Sequence, residues 1–253
     1  MFKNAIVRKP GKSLVNGLTS ANLGKPGYDK ALTQHAGYVA ALKKCGVEVT
    51  VLEADERFPD SVFVEDTAVV TARCAIITNP GAAGRKGEEV AIKEVLTSFY
   101  DNIEHIQPPG TLDGGDVMMV GNHFYTGLSA RTNREGAAQF TRILKKYGCT
   151  GSAVPLKKVL HLKTGLAYLE NNNLMAAGEF IDLPLFKRFN KIVIDESESY
   201  SANCIWVNGV VIMPAGFETT KAAVEIAGYQ VLTVDVSEFR KLDGGVSCMS
   251  LRF

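Results

Sequence analysis

The chain has 253 residues, with 28 lysines and arginines against 27 aspartates and glutamates, which gives a formal net charge of +1. Near-zero charge argues against a nucleic-acid or anionic-membrane partner, because such proteins usually carry a basic stripe or run. No apolar run approaches the roughly 18 residues that span a bilayer. At about 150 residues per domain, the length fits one large domain or two small ones.

The five cysteines are far apart in sequence and share no CxxC spacing. An odd number of dispersed cysteines favours free thiols in a reducing compartment over a disulfide framework or a zinc site. The first residues also lack the pattern of a secretory signal. We therefore expect a cytoplasmic protein.

Four segments show the apolar spacing of amphipathic helices, with a repeat of three to four residues. They lie at about 32–42, 90–99, 137–147 and 219–227. Gly46, Gly148 and Gly228 follow three of these segments and are typical helix stops.

Between the helices lie pairs of short runs rich in Val, Ile and aromatic residues, which predict hairpins. The joining residues are Ala72-Arg73 between TAVVT and CAIIT, Gly121-Asn122 between VMMV and HFYT, Asn171-Asn172 between LAYL and NLMAA, and Asn208-Gly209 between IWV and VVIM. Asn-Gly is the strongest local hairpin signal. A helix or turn and a third strand follow each pair: IEHI, AVPL, KIVI and QVLTV.

The chain ends supply the pieces of a fifth copy. The N-terminal strand NAIVR, the first helix, the strand VEVTVL and the C-terminal strand CMSLRF complete it if the two ends pair. Repeats of roughly 40–50 residues indicate a closed ring of units that cannot bury their apolar faces alone. The alternative is an ordinary α+β sandwich without true repeats.

Ionisable and nucleophilic side chains stand at comparable places, close to the first strand of these copies. They are Asp60, Glu65, Asp66, Asp113, Asp116, His161 and Cys248. Since the starts of equivalent strands converge on the axis of a ring, a closed ring would bring carboxylates, an imidazole and a thiol together.

Cys248 is the best candidate nucleophile among the cysteines. It follows Asp-Gly-Gly, and glycines permit tight or left-handed backbone and the close approach of a ligand. Cys45, Cys74 and Cys149 fit the usual case of a small buried hydrophobe better. Cys204 is ambiguous, because SANCIW begins a strand in the same register.

His161 is the preferred general acid/base among the four histidines, since it shares the strand-start register of Cys248. His35 lies on the apolar face of its helix, and His105 and His123 fall within strands. Asp113 is suited to orient the imidazole as the third member of a Cys–His–acid set.

The run FVEDT places two acids side by side in a segment that looks like a strand. Glu65 and Asp66 would then point to opposite faces. An inward acid is costly without a cationic partner, and a guanidinium is well suited to forked contact with a carboxylate.

Seven sequence motifs of this chain resemble those of the dimethylarginine dimethylaminohydrolase family, especially its bacterial branch. They are PDSVFVED, NPGA followed by Arg85, TLDGGD, GLSARTN, VLHLKTG, ANCIWVN and DGGVSCMSLRF. The resemblance covers essentially the whole chain in the same order. It implies the pentein fold, a fivefold pseudosymmetric α/β propeller of ββαβ repeats, with residues 1–253 forming a single catalytic domain.

The resemblance also implies the catalytic roles. Cys248 would be the nucleophile, His161 the general acid/base and Asp113 the acid that accompanies it. In this resemblance one bacterial relative carries Glu with Ala beside it, where this chain has Asp113 and Gly114, as in the mammalian enzymes. The shorter carboxylate requires the backbone or a water molecule to compensate for the lost methylene.

Substrate contacts follow from the same resemblance. Asp60, Glu65 and Asp66 would contact the substrate, with Asp66 as the main guanidinium partner. In addition, Leu18 would belong to a lid, Arg85 and Arg131 would bind the α-carboxylate, and Leu242 would offer a backbone contact.

The implied reaction is hydrolysis of methylated arginine to citrulline through a covalent cysteine intermediate. No metal or other cofactor is expected, because the His and Cys residues lack ligand spacing. Alternatives are the same scaffold acting on arginine or citrulline, and a non-catalytic binding ring. The expected partner is a small-molecule substrate, and the family allows for a homodimer.

Overall fold

The computed structural model describes residues 1–253, and its strands form five three-stranded sheets. The strands are β1 Asn4–Arg8, β2 Glu48–Leu52, β3 Ala68–Val70, β4 Ala75–Ile77, β5 Ile103–His105, β6 Val117–Val120, β7 His123–Leu128, β8 Thr150–Pro155, β9 Leu166–Tyr168, β10 Asn173–Ala176, β11 Asn190–Val193, β12 Ile205–Val207, β13 Val210–Pro214, β14 Gln230–Val234 and β15 Leu251–Arg252.

Every sheet has the same topology. Its middle strand pairs antiparallel with one neighbour, as a hairpin does, and parallel with the other. The chain ends complete the first sheet, where Ala5 faces Arg252 in an antiparallel pair and β1 runs parallel to β2. The predicted hairpins, third strands and pairing of the chain ends are confirmed, and the sandwich alternative is wrong.

Helices cross between the parallel strands of four repeats. The helices are α1 Tyr28–Lys44, α2 Glu88–Leu96, α3 Arg134–Lys146, α4 Leu162–Gly165, α5 Glu218–Ile226 and α6 Ser237–Arg240. The four predicted amphipathic helices correspond to α1, α2, α3 and α5. Between β10 and β11 the crossover consists only of short 3-10 turns, Gly178–Phe180 and Pro184–Phe186.

Local sequence explains where α3 begins. Asn133 precedes the helix, and its side chain accepts a hydrogen bond from the backbone N–H of Gly136, which caps an otherwise unpaired donor. After the last helical residue the chain turns at Gly148, whose φ of 73° lies in the left-handed region.

The buried apolar residues form five clusters, and each cluster joins two neighbouring repeats. For example, Ile6 and Leu251 of the first repeat pack with Ile77 and Ile92 of the second. The largest cluster joins the first repeat to the fifth, which contributes Ile212. Since no repeat buries its core alone, the five units close a ring, as the repeat pattern predicts.

The segment FVEDT is not a strand. Residues Val64–Thr67 form a 3-10 turn that leads into β3, so the strand interpretation of Glu65 and Asp66 is wrong. The two carboxylates still diverge, because successive residues of a 3-10 turn point about a third of a turn apart. Both acids are buried, and both have the cationic partners that burial requires.

Candidate active site

Short helical turns precede the first strands of the repeats and meet near the axis of the ring. They are Val64–Thr67, Gly114–Asp116, Leu162–Gly165, Glu196–Ala202 and Ser247–Met249. The predicted strand-start residues lie on these turns or just before them. This placement brings residues from distant parts of the chain together.

One small cavity at this place contains most of the predicted site. Its lining residues are Leu18, Asp60, Phe63, Asp66, Arg85, Asp113, Arg131, Leu160, His161, Leu242, Asp243, Gly244 and Cys248. Of the ten residues expected at the site, only Glu65 is missing from this lining.

His161 caps α4 and forms a direct contact with Asp113. The distance from its Nε2 to Asp113 Oδ2 is 3.1 Å, and the other oxygen of Asp113 accepts the backbone N–H of Gly81 at 2.9 Å. The shorter side chain of Asp113 thus reaches the imidazole without a bridging water. Burial opposes a charge on the ring, but the carboxylates of Asp66, Asp113 and Asp116 outweigh it and raise the pKa of His161 to about 9.

Cys248 lies in the turn Ser247–Met249, with its sulfur 3.4 Å from the backbone nitrogen of Gly245. Burial, followed by the negative charges of Glu65 and Asp66, raises the pKa of its thiol to about 11. Near neutral pH the free protein therefore holds a neutral thiol beside a charged imidazolium.

The two glycines before Cys248 serve close packing and not a left-handed backbone. Neither has a positive φ, and it is Asp243 before them that does, at 56°. A Cβ on Gly244 would lie 2.2 Å from the Phe63 ring, and one on Gly245 would lie 2.4 Å from the Asn203 side chain. A left-handed backbone thus occurs in the Asp-Gly-Gly motif at Asp243, and at its two glycines that alternative is wrong.

Asp66 is held from two sides. One oxygen accepts the N–H of Gly115 at 2.8 Å, and the other pairs with the guanidinium of Arg85. Burial works against its charge, yet His161 and Arg85 together lower the pKa of Asp66 below its ordinary value. A Cβ on Gly115 would lie 2.8 Å from both Asp66 Oδ1 and His161 Nδ1, so the acid and the imidazole meet over this glycine.

Arg85 is buried, unlike an ordinary arginine in a surface loop. Its guanidinium pairs with Asp66 and Glu88 and donates to the backbone carbonyl of Phe63 at 2.9 Å. Arg131 lines the same cavity, and the cations of Arg85 and Arg131 both offset the effect of burial on the pKa of Asp60, which is nevertheless raised.

The predicted lid residue Leu18 is 44% exposed, and its backbone N–H donates to both oxygens of Asp60, at 3.1 and 3.2 Å. Leu242 is buried beside this segment, since a Cβ on Gly17 would lie 2.9 Å from Leu242 Cδ1. The carboxylate of Asp60 therefore holds the lid segment against the cavity.

Glu65 faces away from this cavity. Its carboxylate accepts the hydroxyl of Ser247 at 2.9 Å and pairs with Lys163 at 2.7 Å and Arg252 at 3.3 Å. Glu65, Lys163 and Cys248 each stand three residues before the first strand of their repeats. The distance of Lys163 from the start of its strand could therefore have identified it from the sequence, although the sequence analysis did not name it.

Two further buried residues are part of the site. Asp116 accepts hydrogen bonds from Ser129, Thr132 and the backbone N–H of Leu162, and so ties the loop before Arg131 to the turn after His161. Asn203 contacts Cys248 and had no assigned role in the sequence, although SANCIW carries the register that would have pointed to it.

One group of side chains has the spacing of a metal site. Asp66, Asp113 and His161 each offer a ligand atom within 4.8 Å of the others. In this arrangement the carboxylate of Asp113 contacts the imidazole of His161, and the carboxylate of Asp66 forms an ion pair with Arg85. The absence of a metal requirement stays a prediction from the sequence.

The ring of five repeats, with a thiol, an imidazole and carboxylates at its axis, has the architecture of a pentein-fold enzyme. The family model for eukaryotic N,N-dimethylarginine dimethylhydrolase matches residues 24–252. An N(G),N(G)-dimethylarginine dimethylaminohydrolase of Pseudomonas aeruginosa is 61% identical, over 100% of both chains. Another from Streptomyces coelicolor is 36% identical, covering 99% of this chain and 96% of that relative. The chain therefore belongs to the dimethylarginine dimethylaminohydrolase family.

Solved structures give the same result. The Pseudomonas aeruginosa enzyme, as a cysteine-to-serine mutant complexed with citrulline, superposes with a TM-score of 0.99 at 61% identity over 100% of both chains. The N-terminal domain of a cyanobacterial arginine dihydrolase has a TM-score of 0.90 at 19% identity, covering 100% of this chain and 97% of that one, and so shares the fold. No helix of this chain is long and apolar enough to cross a membrane.

Proposed function

We propose that the chain hydrolyses asymmetric Nω,Nω-dimethylarginine and Nω-monomethylarginine to citrulline and the corresponding amine. The observation that carries this proposal is that Cys248, His161 and the carboxylates of Asp60 and Asp66 line one cavity. These groups match the reaction, because carboxylates attract a guanidinium, a thiolate attacks its carbon and an imidazolium protonates the departing amine.

Substrate binding prepares the nucleophile. The guanidinium cation lies against Asp66, and its charge offsets the negative charges that raise the pKa of Cys248. The thiol then loses its proton to solvent. Arg131, with Arg85 behind it, binds the α-carboxylate, and the backbone of Leu18 and Leu242 contacts the rest of the amino acid.

The first half-reaction forms a covalent intermediate. The Cys248 thiolate forms a C–S bond to the guanidinium carbon, which becomes tetrahedral. His161 gives its proton to the methylated nitrogen, the C–N bond breaks and dimethylamine or methylamine leaves. The product on the enzyme is an S-alkyl thiouronium cation, and Asp113 keeps the imidazole oriented throughout.

The second half-reaction releases citrulline. His161, now neutral, takes a proton from a water molecule whose oxygen bonds to the same carbon. The C–S bond then breaks, Cys248 leaves as a thiolate, and the hydroxyl proton passes to solvent as the ureido carbonyl forms. Glu65 lies behind the nucleophile. Its carboxylate accepts the hydroxyl of Ser247 and pairs with Lys163 and Arg252.

Citrulline release from dimethylarginine, monomethylarginine and arginine tests the proposal. We expect turnover of both methylated substrates and a loss of at least about 1000-fold for Cys248→Ser. Cys149→Ser is the matched control, since Cys149 is a half-buried free thiol outside the cavity, and it should retain full activity. Turnover of arginine alone, or of citrulline, would assign the scaffold to a different substrate, and an active Cys248→Ser would exclude the covalent route.

The cellular compartment and the oligomeric state also belong to this proposal. We infer a reducing compartment such as the cytoplasm, because all five cysteines are free and Cys248 must stay a thiol.

We also propose a homodimer, as the family resemblance allows. Light scattering coupled to size exclusion tests the dimer directly, and a mass of one chain, 27.3 kDa, would exclude it.

A further inference from the structure

The sulfur of Cys248 has two N–H donors close to it. The backbone nitrogen of Gly245 lies 3.4 Å from Sγ, and the side-chain nitrogen of Asn203 lies 3.7 Å from it. The Ser247 hydroxyl is farther, at 3.9 Å, and its Oγ also bonds Glu65 at 2.9 Å. Asn203 is only 7% exposed, so its amide points into the protein and not into water.

Hydrogen bonding fixes which end of the Asn203 amide faces the sulfur. The amide oxygen accepts the backbone N–H of Ser247 at 2.8 Å. If the amide were flipped, its NH₂ group would face that N–H, and two donors would oppose each other. The NH₂ group therefore faces Cys248, as a donor.

The position of Asn203 in its repeat can be compared with the equivalent position in another repeat. Asn203 and Asp66 each stand two residues before the first strand of their repeats. One repeat thus places a carboxylate at this position and another places a neutral amide of almost the same shape. The Asn203 side chain fits only because residue 245 is a glycine, since a Cβ there would lie 2.4 Å from the amide.

The charges around the sulfur make such a donor useful. Asp66 lines the cavity with Cys248, and Glu65 lies behind it through Ser247, where Lys163 and Arg252 pair with its carboxylate. Tyr200, in the turn before β12, donates its hydroxyl to the carbonyl oxygen of Gly244 at 2.7 Å. The two carboxylates disfavour a thiolate, and the cations that line the same cavity are His161, Arg85 and Arg131. A thiolate at this place therefore depends on N–H donors for local stabilisation.

We propose that Asn203 is a further catalytic group, whose amide NH₂ and the backbone N–H of Gly245 form a two-donor cradle for the Cys248 thiolate. The cradle favours the nucleophile before attack and receives the sulfur again when the C–S bond breaks. Hydrogen bonds to a charged acceptor are stronger than those to a neutral one, so the cradle stabilises the thiolate more than the thiol. This inference rests on the proposed role of Cys248 as nucleophile.

Removal of the donor should raise the pKa of Cys248 by about one unit, which lowers its thiolate fraction roughly tenfold at a fixed pH below the pKa. A more basic thiolate is also more nucleophilic, with a Brønsted coefficient of about 0.4–0.5. The net expectation is a roughly threefold slower alkylation at pH 8.5. The difference should shrink to about twofold near pH 11, because the wild-type thiol is then half ionised and its thiolate fraction can rise by only another factor of about two.

Alkylation by iodoacetamide, read by mass spectrometry on the peptide that contains Cys248, measures this effect without substrate. Asn203→Leu removes the donor without adding charge, and Asn203→Asp keeps the oxygen that accepts the Ser247 N–H. Asn102→Asp is the matched control, because Asn102 is exposed and far from Cys248 in the fold. The Cys149 peptide serves as an internal reference for general reactivity.

The proposal expects roughly threefold slower Cys248 alkylation for Asn203→Leu at pH 8.5, narrowing to about twofold near pH 11, and a larger loss for Asn203→Asp, which also adds a charge. A folded Asn203→Leu protein that reacts at the wild-type rate would overturn it, and so would a constant difference at every pH, which indicates access and not ionisation. If Asn203→Leu fails to fold, an unchanged rate for Asn203→Asp decides against the cradle. Since alkylation needs no turnover, its result is independent of whether Cys248→Ser abolishes citrulline release.

Discussion

At the residue scale, the free site holds the imidazole in the protonation state that the reaction needs and the thiol in the opposite one. The thiol of Cys248, with a pKa of about 11, is neutral near pH 7, while His161, with a pKa of about 9, is charged. The imidazolium is ready to protonate a leaving group, but the nucleophile must first lose a proton. A cationic substrate that enters between the carboxylates supplies the charge that this ionisation requires.

The pH dependence of kcat/KM follows from these two values. The reactive complex has one proton less than the free protein near neutrality, so kcat/KM should rise about tenfold per pH unit. We expect it to level off near pH 9, where His161 itself begins to lose its proton. Initial rates of citrulline formation at low substrate concentration measure this profile, and a maximum below pH 7 would contradict it.

Asp113 offers a test of how the imidazole is held. Asp113→Asn removes the charge that faces His161 Nε2, and we expect kcat to fall by at least about 100-fold with little change in KM. Asp113→Glu keeps the charge on a longer side chain and should stay within about tenfold of the wild type. Asp182→Asn, an exposed acid, is the control. Equal losses for the Asn and Glu variants would show that geometry matters and charge does not.

At the scale of elements, close backbone contacts between turns and helices position the site, and glycines make those contacts possible. A Cβ on Gly114 would lie 2.0 Å from the carbonyl oxygen of Glu65, and one on Gly81 would lie 2.2 Å from that of Arg131. The turns of neighbouring repeats therefore pack backbone to backbone. Such contacts explain why the catalytic turns keep fixed positions although each is only a few residues long.

Two helix glycines should respond oppositely to substitution by alanine. Gly136 lies in the first turn of α3, where a Cβ would come within 1.9 Å of the Thr111 carbonyl oxygen, so Gly136→Ala should lower the free energy of unfolding by about 1–3 kcal/mol. Gly37 lies in α1 with nothing within 4 Å, and Gly37→Ala should raise it by about 0.5–1 kcal/mol. Urea unfolding measures both, and stabilisation by Gly136→Ala would contradict the close contact.

At the scale of the whole molecule, the ring distributes its core over five boundaries between repeats. The cluster between the first repeat and the fifth is continuous with the pairing of β1 and β15, so the chain ends are part of the closure. We propose that residues 1–253 unfold as one domain, because every repeat shares both of its core faces with a neighbour.

The unfolding behaviour of Ile6→Ala tests this proposal. Ile6 is fully buried at the boundary between the first and second repeats, and its truncation should cost about 2–5 kcal/mol. Calorimetry should still show a single transition for the variant, with equal calorimetric and van't Hoff enthalpies. Two separate transitions would mean that the repeats unfold as independent units.

Much of this molecule could be predicted from the sequence, because repeats carry their own pattern. Hairpin signals and helix periodicity located the five units, and nearness to the strand starts placed His161 and Cys248 close to one axis, although Lys163 is the residue in register with Cys248. The sequence could not show that Glu65 turns away from the cavity, since FVEDT reads as a strand and the 3-10 turn depends on contacts with neighbouring repeats. Asn203 was missed because a neutral amide suggests no chemistry by itself, and only its position before β12 pointed to the site.

The proposed mechanism depends on a covalent intermediate on Cys248, which mass spectrometry of acid-quenched turnover can detect. The peptide that contains Cys248 should gain the mass of the substrate minus its amine. Because the methylated nitrogen leaves before the intermediate forms, dimethylarginine and monomethylarginine should give the same added mass. Turnover without any adduct, an adduct on another cysteine, or different added masses from the two substrates would contradict the account.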